Sequence, residues 1–137
     1  MSVKKLAYAF GASLILMSSI FALKAWALDV RDFHGNYSMS HDGWKGNLTL
    51  FNSSDPEFRC NPLCGMYTDS GGRNYLVKVS NIQGYKITFY VIGIGDENAE
   101  GTGGQKFEGY LMTQTKDAIA GNTWWHSRPF GFYAVKH

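Results

Sequence analysis

From Asp29 onward the apolar residues recur at every second position, and no stretch sustains a helical period over ten residues. That alternation confines the chain to extended strands with one face toward a core. Tyr37 and Met39 alternate with Asn36, Ser38 and Ser40. Leu48 and Leu50 alternate with Asn47, Thr49 and Phe51. Tyr75, Val77 and Val79 share a third face, and Ile87, Phe89 and Val91 alternate with Lys86, Thr88 and Tyr90 on the clearest strand. Asp42-Gly43, Ser70-Gly71-Gly72 and residues 81–84 punctuate these runs with residues that tolerate positive φ or bond their own backbone.

The expected strands are residues 34–42, 44–52, 65–69, 74–79, 85–93, 106–115 and 123–135, the last long enough to bend at Pro129 and serve as two. Residues 116–122 read as a small-residue connection within the closing hairpin. A terminal hairpin leaves an edge that needs a partner earlier in the chain. Repeated hairpins in a chain rich in aromatic residues favour closure over a sandwich. The expected fold is therefore all-β: a single antiparallel up-and-down β-barrel of about eight strands, whose interior either fills with side chains or holds one small ligand.

A processing signal precedes it. Lys4 and Lys5 form a basic start, residues 6–23 an apolar core, and Ala25-Trp26-Ala27 a small-x-small cleavage site, so residues 1–27 read as a bacterial-type signal peptide and residues 28–137 as one barrel domain. The expected location is periplasmic or secreted. A membrane enters only if the apolar segment stays uncleaved as an anchor. Lys4, Lys5 and Lys24 belong to the signal, so the net charge of +2 carried by the whole chain becomes −1 in the remainder. No basic face is left to neutralise phosphates, which excludes a nucleic-acid partner.

Cys60 and Cys64, bound for an oxidising compartment, are expected to form a disulfide. It closes only five residues and staples a turn, contributing roughly 2 kcal/mol at most. The spacing is not the redox Cys-x-x-Cys, and a zinc site would need two more ligands. Residues 52–63 read as a long polar loop. Residues 94–104 read as a mobile acidic, glycine-rich loop. Its Asp96, Glu97 and Glu100 would repel phosphate and lack the ligand spacing of a calcium loop. No cofactor or metal is indicated.

The order of short motifs resembles the avidin and streptavidin family. Gly35-Asn36-Tyr37, Gly46-Asn47-Leu48-Thr49-Leu50, Gly65-Met66-Tyr67, residues 85–90, Gly109-Tyr110-Leu111-Met112-Thr113, and Trp125 with residues 132–136 follow that family's strands in sequence order over most of the chain beyond the signal. The resemblance implies a barrel and a pocket. It also argues against biotin: of the family's polar contacts only Tyr67 is matched, Met39 and His41 stand on the first strand, and Phe130 or Gly131 stands where an acid is needed. Such losses leave a ligand's polar atoms unpaired, at several kcal/mol.

Two facings compete on residues 106–114. Alternation turns Phe107, Gly109, Leu111 and Thr113 inward, leaving Tyr110 and Met112 on an outer aromatic stripe with Tyr90 and Tyr133 and implying a homo-oligomer through the outer strand faces. The family likeness turns Tyr110 and Met112 inward.

Trp124-Trp125-His126 is the most suggestive local feature, because indole rings stack on apolar rings or sugars and offer one directed N–H. Neighbouring residues of a strand point oppositely, so one of the two Trp fills the core and the other covers the outside. His41-Asp42 is explained by its turn, no nucleophile sits in a Gly-x-Ser-x-Gly context, and His34, His41, His126 and His137 have no ligand spacing. The chain is therefore expected to act by binding and not as an enzyme. Its partner is a small, partly apolar molecule or glycan held among Tyr37, Trp44, Tyr67, Tyr110 and Trp124 or Trp125. The alternative is a filled, inhibitor-like barrel that recognises a protein through loops or the outer stripe, toward which Phe89, Phe107 and Phe132 lean.

Overall fold

The Asp42-Gly43 step adopts φ of 46° and 79°, and the chain reverses across this two-residue turn so that His41 pairs with Trp44. The flanking strands are β1 (Gly35–His41) and β2 (Trp44–Phe51). The computed structural model describes residues 29–53, 60–94 and 103–137. Six more strands follow: β3 (Cys64–Asp69), β4 (Asn74–Gln83), β5 (Lys86–Ile92), β6 (Gly104–Leu111), β7 (Ala118–Trp125) and β8 (Arg128–Lys136). Each pairs antiparallel with the next, and β8 returns to β1 in the register Met39–Ala134 and His41–Phe132. Closure removes every free edge. The fold is an eight-stranded, up-and-down antiparallel β-barrel.

Alternation carries one side chain in two to the interior. Tyr37, Met39, Leu48, Leu50, Tyr67, Val77, Val79, Ile87, Phe89, Val91, Phe107, Leu111, Ile119, Phe132 and Ala134 are buried there. At mid-height the Phe89 and Phe107 rings stack, 5.0 Å apart and 2° from parallel, and Phe132 stands edge-on to both at 5.9 and 5.2 Å. Each such ring stabilises the fold by about 1.5–3 kcal/mol through burial alone, and the edge-on contacts add to that.

One end of the barrel is plugged. A 3-10 turn, Val30–Phe33, opens on the Asp29 capping box and drives Phe33 into the core, where it is fully buried. The Tyr37 hydroxyl donates to the Phe33 carbonyl at 2.7 Å. Lys136 Nζ donates to the Asp32 carbonyl at 2.6 Å, and Lys116 pairs with the Asp32 carboxylate at 3.2 Å. The Cys60–Cys64 disulfide lies on the same side, with the Cα atoms 5.1 Å apart, and ties the β2–β3 connection to the first residue of β3.

The structure departs from the expected strands mainly near the C-terminus. Ala118–Trp125 is a full strand, where residues 116–122 read as a connection. Residues 123–135 are not one strand bent at Pro129: they are split by a two-residue turn at His126 and Ser127, both with positive φ (47° and 62°). Neither residue announces a turn, so the reversal was hidden. The β4 strand extends past Val79 to Gln83 through a register shift between Val79 and Asn81. The facing of β6 is settled: Phe107, Gly109 and Leu111 point inward, Tyr110 outward. Tyr110, Met112 and Tyr133 are exposed, whereas Tyr90, expected beside them, is buried. Residues 1–27, with the expected signal peptide, and 95–102, with Asp96, Glu97 and Glu100, lie outside the described residues, as do residues 54–59 of the polar loop.

Candidate functional site

Among the described residues nothing plugs the opposite end, and what lines it follows from the same alternation. On six of the eight strands the last inward-facing positions before this end are polar or aromatic: His41 on β1, Trp44 on β2, Tyr67 and Asp69 on β3, Tyr75 on β4, Gln105 on β6 and Trp125 on β7. With Asp42, Arg73 and Ile94 they enclose a cavity of about 330 Å³. That volume sits at the small end of the range typical of ligand pockets, roughly 300–1,000 Å³.

The deepest polar contact joins His41 to Tyr67, with His41 Nε2 3.1 Å from the phenol oxygen. His41 is only 4% exposed, its ring edge-on to Phe107 at 5.1 Å and to Tyr67 at 5.7 Å. Burial lowers its pKa and so favours the neutral imidazole, against a smaller opposing pull from Asp42. Burial raises the Tyr67 phenol, with Asp69 and Tyr75 acting in the same direction. His41 Nδ1 is sealed and has no hydrogen-bond partner.

Gly46 makes the Tyr67 position accessible. A Cβ at residue 46 would lie 2.5 Å from both Tyr67 Cζ and its hydroxyl oxygen. The phenol therefore crosses the β2 backbone at a point that only glycine leaves open.

Gln105, also 4% exposed, donates from Nε2 to Thr123 Oγ1 at 2.7 Å, and Thr123 Oγ1 donates in turn to the Lys106 carbonyl at 2.7 Å. At the rim, Asp69 organises the β3–β4 turn: its Oδ1 accepts from the amides of Gly71 and Arg73 at 2.9 Å each, and its Oδ2 accepts from the Tyr75 hydroxyl at 3.2 Å. The Arg73 amide bond is the leading reason its carboxyl stays below the usual carboxylate range. Trp44 is 66% exposed and Trp125 38% exposed, each presenting indole surface to the mouth.

Of the six residues expected to meet a ligand, the structure brings three together here: Trp44, Tyr67 and Trp125. Tyr37 lies at the plugged end with its hydroxyl committed to Phe33. Tyr110 lies exposed on the outer face. Trp124 turns outward too, with Lys106 Nζ 5.6 Å from its ring centre. Sequence reasoning missed His41, Asp69, Tyr75 and Gln105. Extending each strand's alternation to its end, and asking which ends converge in an up-and-down barrel, would have found them. Among the described residues no group of acidic, His and Cys side chains could hold a metal ion. No protein-family model matches the chain, and no curated protein matches it.

Proposed function

We propose that this protein is an exported, non-enzymatic binding protein that holds a small, partly apolar molecule at the open mouth of its barrel. The carrying observation is the contrast between the two ends: one is plugged by Phe33 and bonded shut, while the other ends in a cavity with aromatic walls and two polar side chains buried at its floor. Binding is favoured over chemistry by the electrostatics of the floor. A neutral imidazole against a phenol whose ionisation burial opposes makes a hydrogen-bonding pair and a poor base. The Cys60–Cys64 disulfide is compatible with export to an oxidising compartment.

Fluorescence titration of the purified protein with an apolar dye tests the reading. Saturable binding should be lost in Trp125→Phe or Trp44→Ala and kept in Trp124→Phe, whose ring faces away from the cavity. Equal binding by all three variants, or no binding by the parent protein, would reject the mouth as the site.

A further inference from the structure

We infer that the ligand enters the mouth with an uncharged hydroxyl, so that the site suits the terminal ring of a neutral sugar. This rests on the mouth being a binding site, and it comes from counting protons at the floor. A hydroxyl has one proton, and that of Thr123 goes to the Lys106 carbonyl. Thr123 Oγ1 can therefore only accept from Gln105. That fixes the amide: the nitrogen faces Thr123, and Oε1 is left as an acceptor with no partner among the described residues. Among the described residues His41 Nδ1 is the sole polar side-chain atom both sealed and unpartnered, so Gln105 Oε1 is reached from the cavity that Gln105 lines.

The other half of the floor is fixed by the same reasoning. Among buried backbone groups an orphaned N–H is rarer than an under-satisfied acceptor, and the same preference is carried over to the imidazole. His41 therefore keeps Nδ1 bare and carries its proton on Nε2, donating to the Tyr67 oxygen at 3.1 Å. Tyr67 then has its own O–H to offer. The floor presents one donor, Tyr67, and one acceptor, Gln105, and no charge.

A ligand hydroxyl answers both, accepting from Tyr67 and donating to Gln105. An ether or ketone leaves Gln105 unmatched. An ammonium leaves the Tyr67 donor unmatched, and a carboxylate faces the Gln105 oxygen with no countercharge at the floor. Above the floor, Trp44 and Trp125 offer faces to the C–H side of a sugar ring, and the charged groups at the rim, Asp42, Asp69 and Arg73, are placed to meet outer hydroxyls.

The test is a titration of the purified protein, by tryptophan fluorescence and saturation-transfer NMR, with methyl glucoside, methyl galactoside and methyl mannoside. Glucosamine, glucuronate and δ-valerolactam are the comparison ligands, and the apolar dye runs in parallel. At least one neutral glycoside should bind saturably and displace the dye, with glucosamine and glucuronate at least tenfold weaker. Gln105→Met should weaken that glycoside at least tenfold more than it weakens the dye. If Gln105→Met melts early, Thr123→Val, which frees the amide to turn, serves instead and should weaken it in the same way. Charged sugars binding as well as neutral ones, tighter binding of the lactam, or unchanged glycoside binding in both variants would overturn the inference. Dye binding that no sugar displaces would overturn it while leaving the mouth as a binding site; silence to dye and sugars alike would remove both.

Discussion

His41 Nε2 lies 3.1 Å from the hydroxyl of Tyr67, a residue 26 positions later and two strands away, and this bond across the interior forms the polar floor of the mouth. Its environment gives stability a sign with pH. An unfolded His titrates near 6.5, and in the fold burial lowers that value. Above the unfolded value the His41 contribution is fully retained. As pH falls below it, the unfolded chain takes a proton that the folded chain refuses, so stability declines until the folded pKa is passed. The slope for one proton is at most about 1.4 kcal/mol per pH unit. Urea unfolding between pH 7.5 and 5 should show a steeper loss for the parent protein than for His41→Gln; parallel curves would show that His41 stays neutral in both states.

Gly46→Ala places a Cβ against the Tyr67 phenol and the Thr68 carbonyl, each at 2.5 Å. The backbone cannot give way as a flexible side-chain tip would. A loss of about 1–3 kcal/mol is expected, together with loss of the Tyr67 contact to His41. Thermal unfolding reads the first, and the imidazole nitrogen shifts of His41 read the second.

Phe107 touches Phe89, Phe132 and His41 at once. Phe107→Ala should cost about 3–5 kcal/mol in urea unfolding, more than the same change at Phe89 or Phe132, each of which touches two rings where Phe107 touches three. A cost near 1 kcal/mol would mean that the surrounding rings collapse into the gap.

His126 and Ser127 turn the β7–β8 hairpin with positive φ at both positions, unaided by glycine or asparagine. Such a conformation costs an L-residue roughly 1–2 kcal/mol, and glycine's extra freedom in the unfolded chain returns about 0.5–1 of that. Ser127→Gly should therefore stabilise the protein by about 0.5–1 kcal/mol, raising its melting temperature. A lower one would place the Ser127 side chain in a supporting role.

Serine at both Cys60 and Cys64 should cost roughly 2 kcal/mol or less, because the bridge closes so short a loop. The barrel's circular dichroism should survive. Its loss would mean that the staple governs how β3 joins the sheet.

Much of the barrel was legible in the sequence because alternation is a local signal. Asp42-Gly43 marked its turn, and Ile87, Phe89 and Val91 marked β5 as plainly as a sequence can. The β7 strand escaped notice because Ala118, Ala120 and Gly121 give alternation little contrast, and its turn is made by residues that rarely make one. The site was half legible. Trp44, Tyr67 and Trp125 stand out by type, whereas His41 has only Asp42 beside it in sequence, and its true neighbours, Tyr67 and Phe107, arrive by closure of the sheet. Gln105 reads as an ordinary polar residue until Thr123 is brought across from β7 to orient it.

The plug also brings the ends of the described chain together. Lys136 Nζ reaches Asp32, and the His137 amide donates to the Asn36 carbonyl at 3.1 Å, all on the side away from the mouth. Anything joined at Asp29 or at His137, whether a tag, a resin or a second domain, therefore holds the barrel by its base. The mouth is left at the far side, like a cup fixed to a shelf by its foot, and immobilisation through His137 holds the barrel at the end away from it.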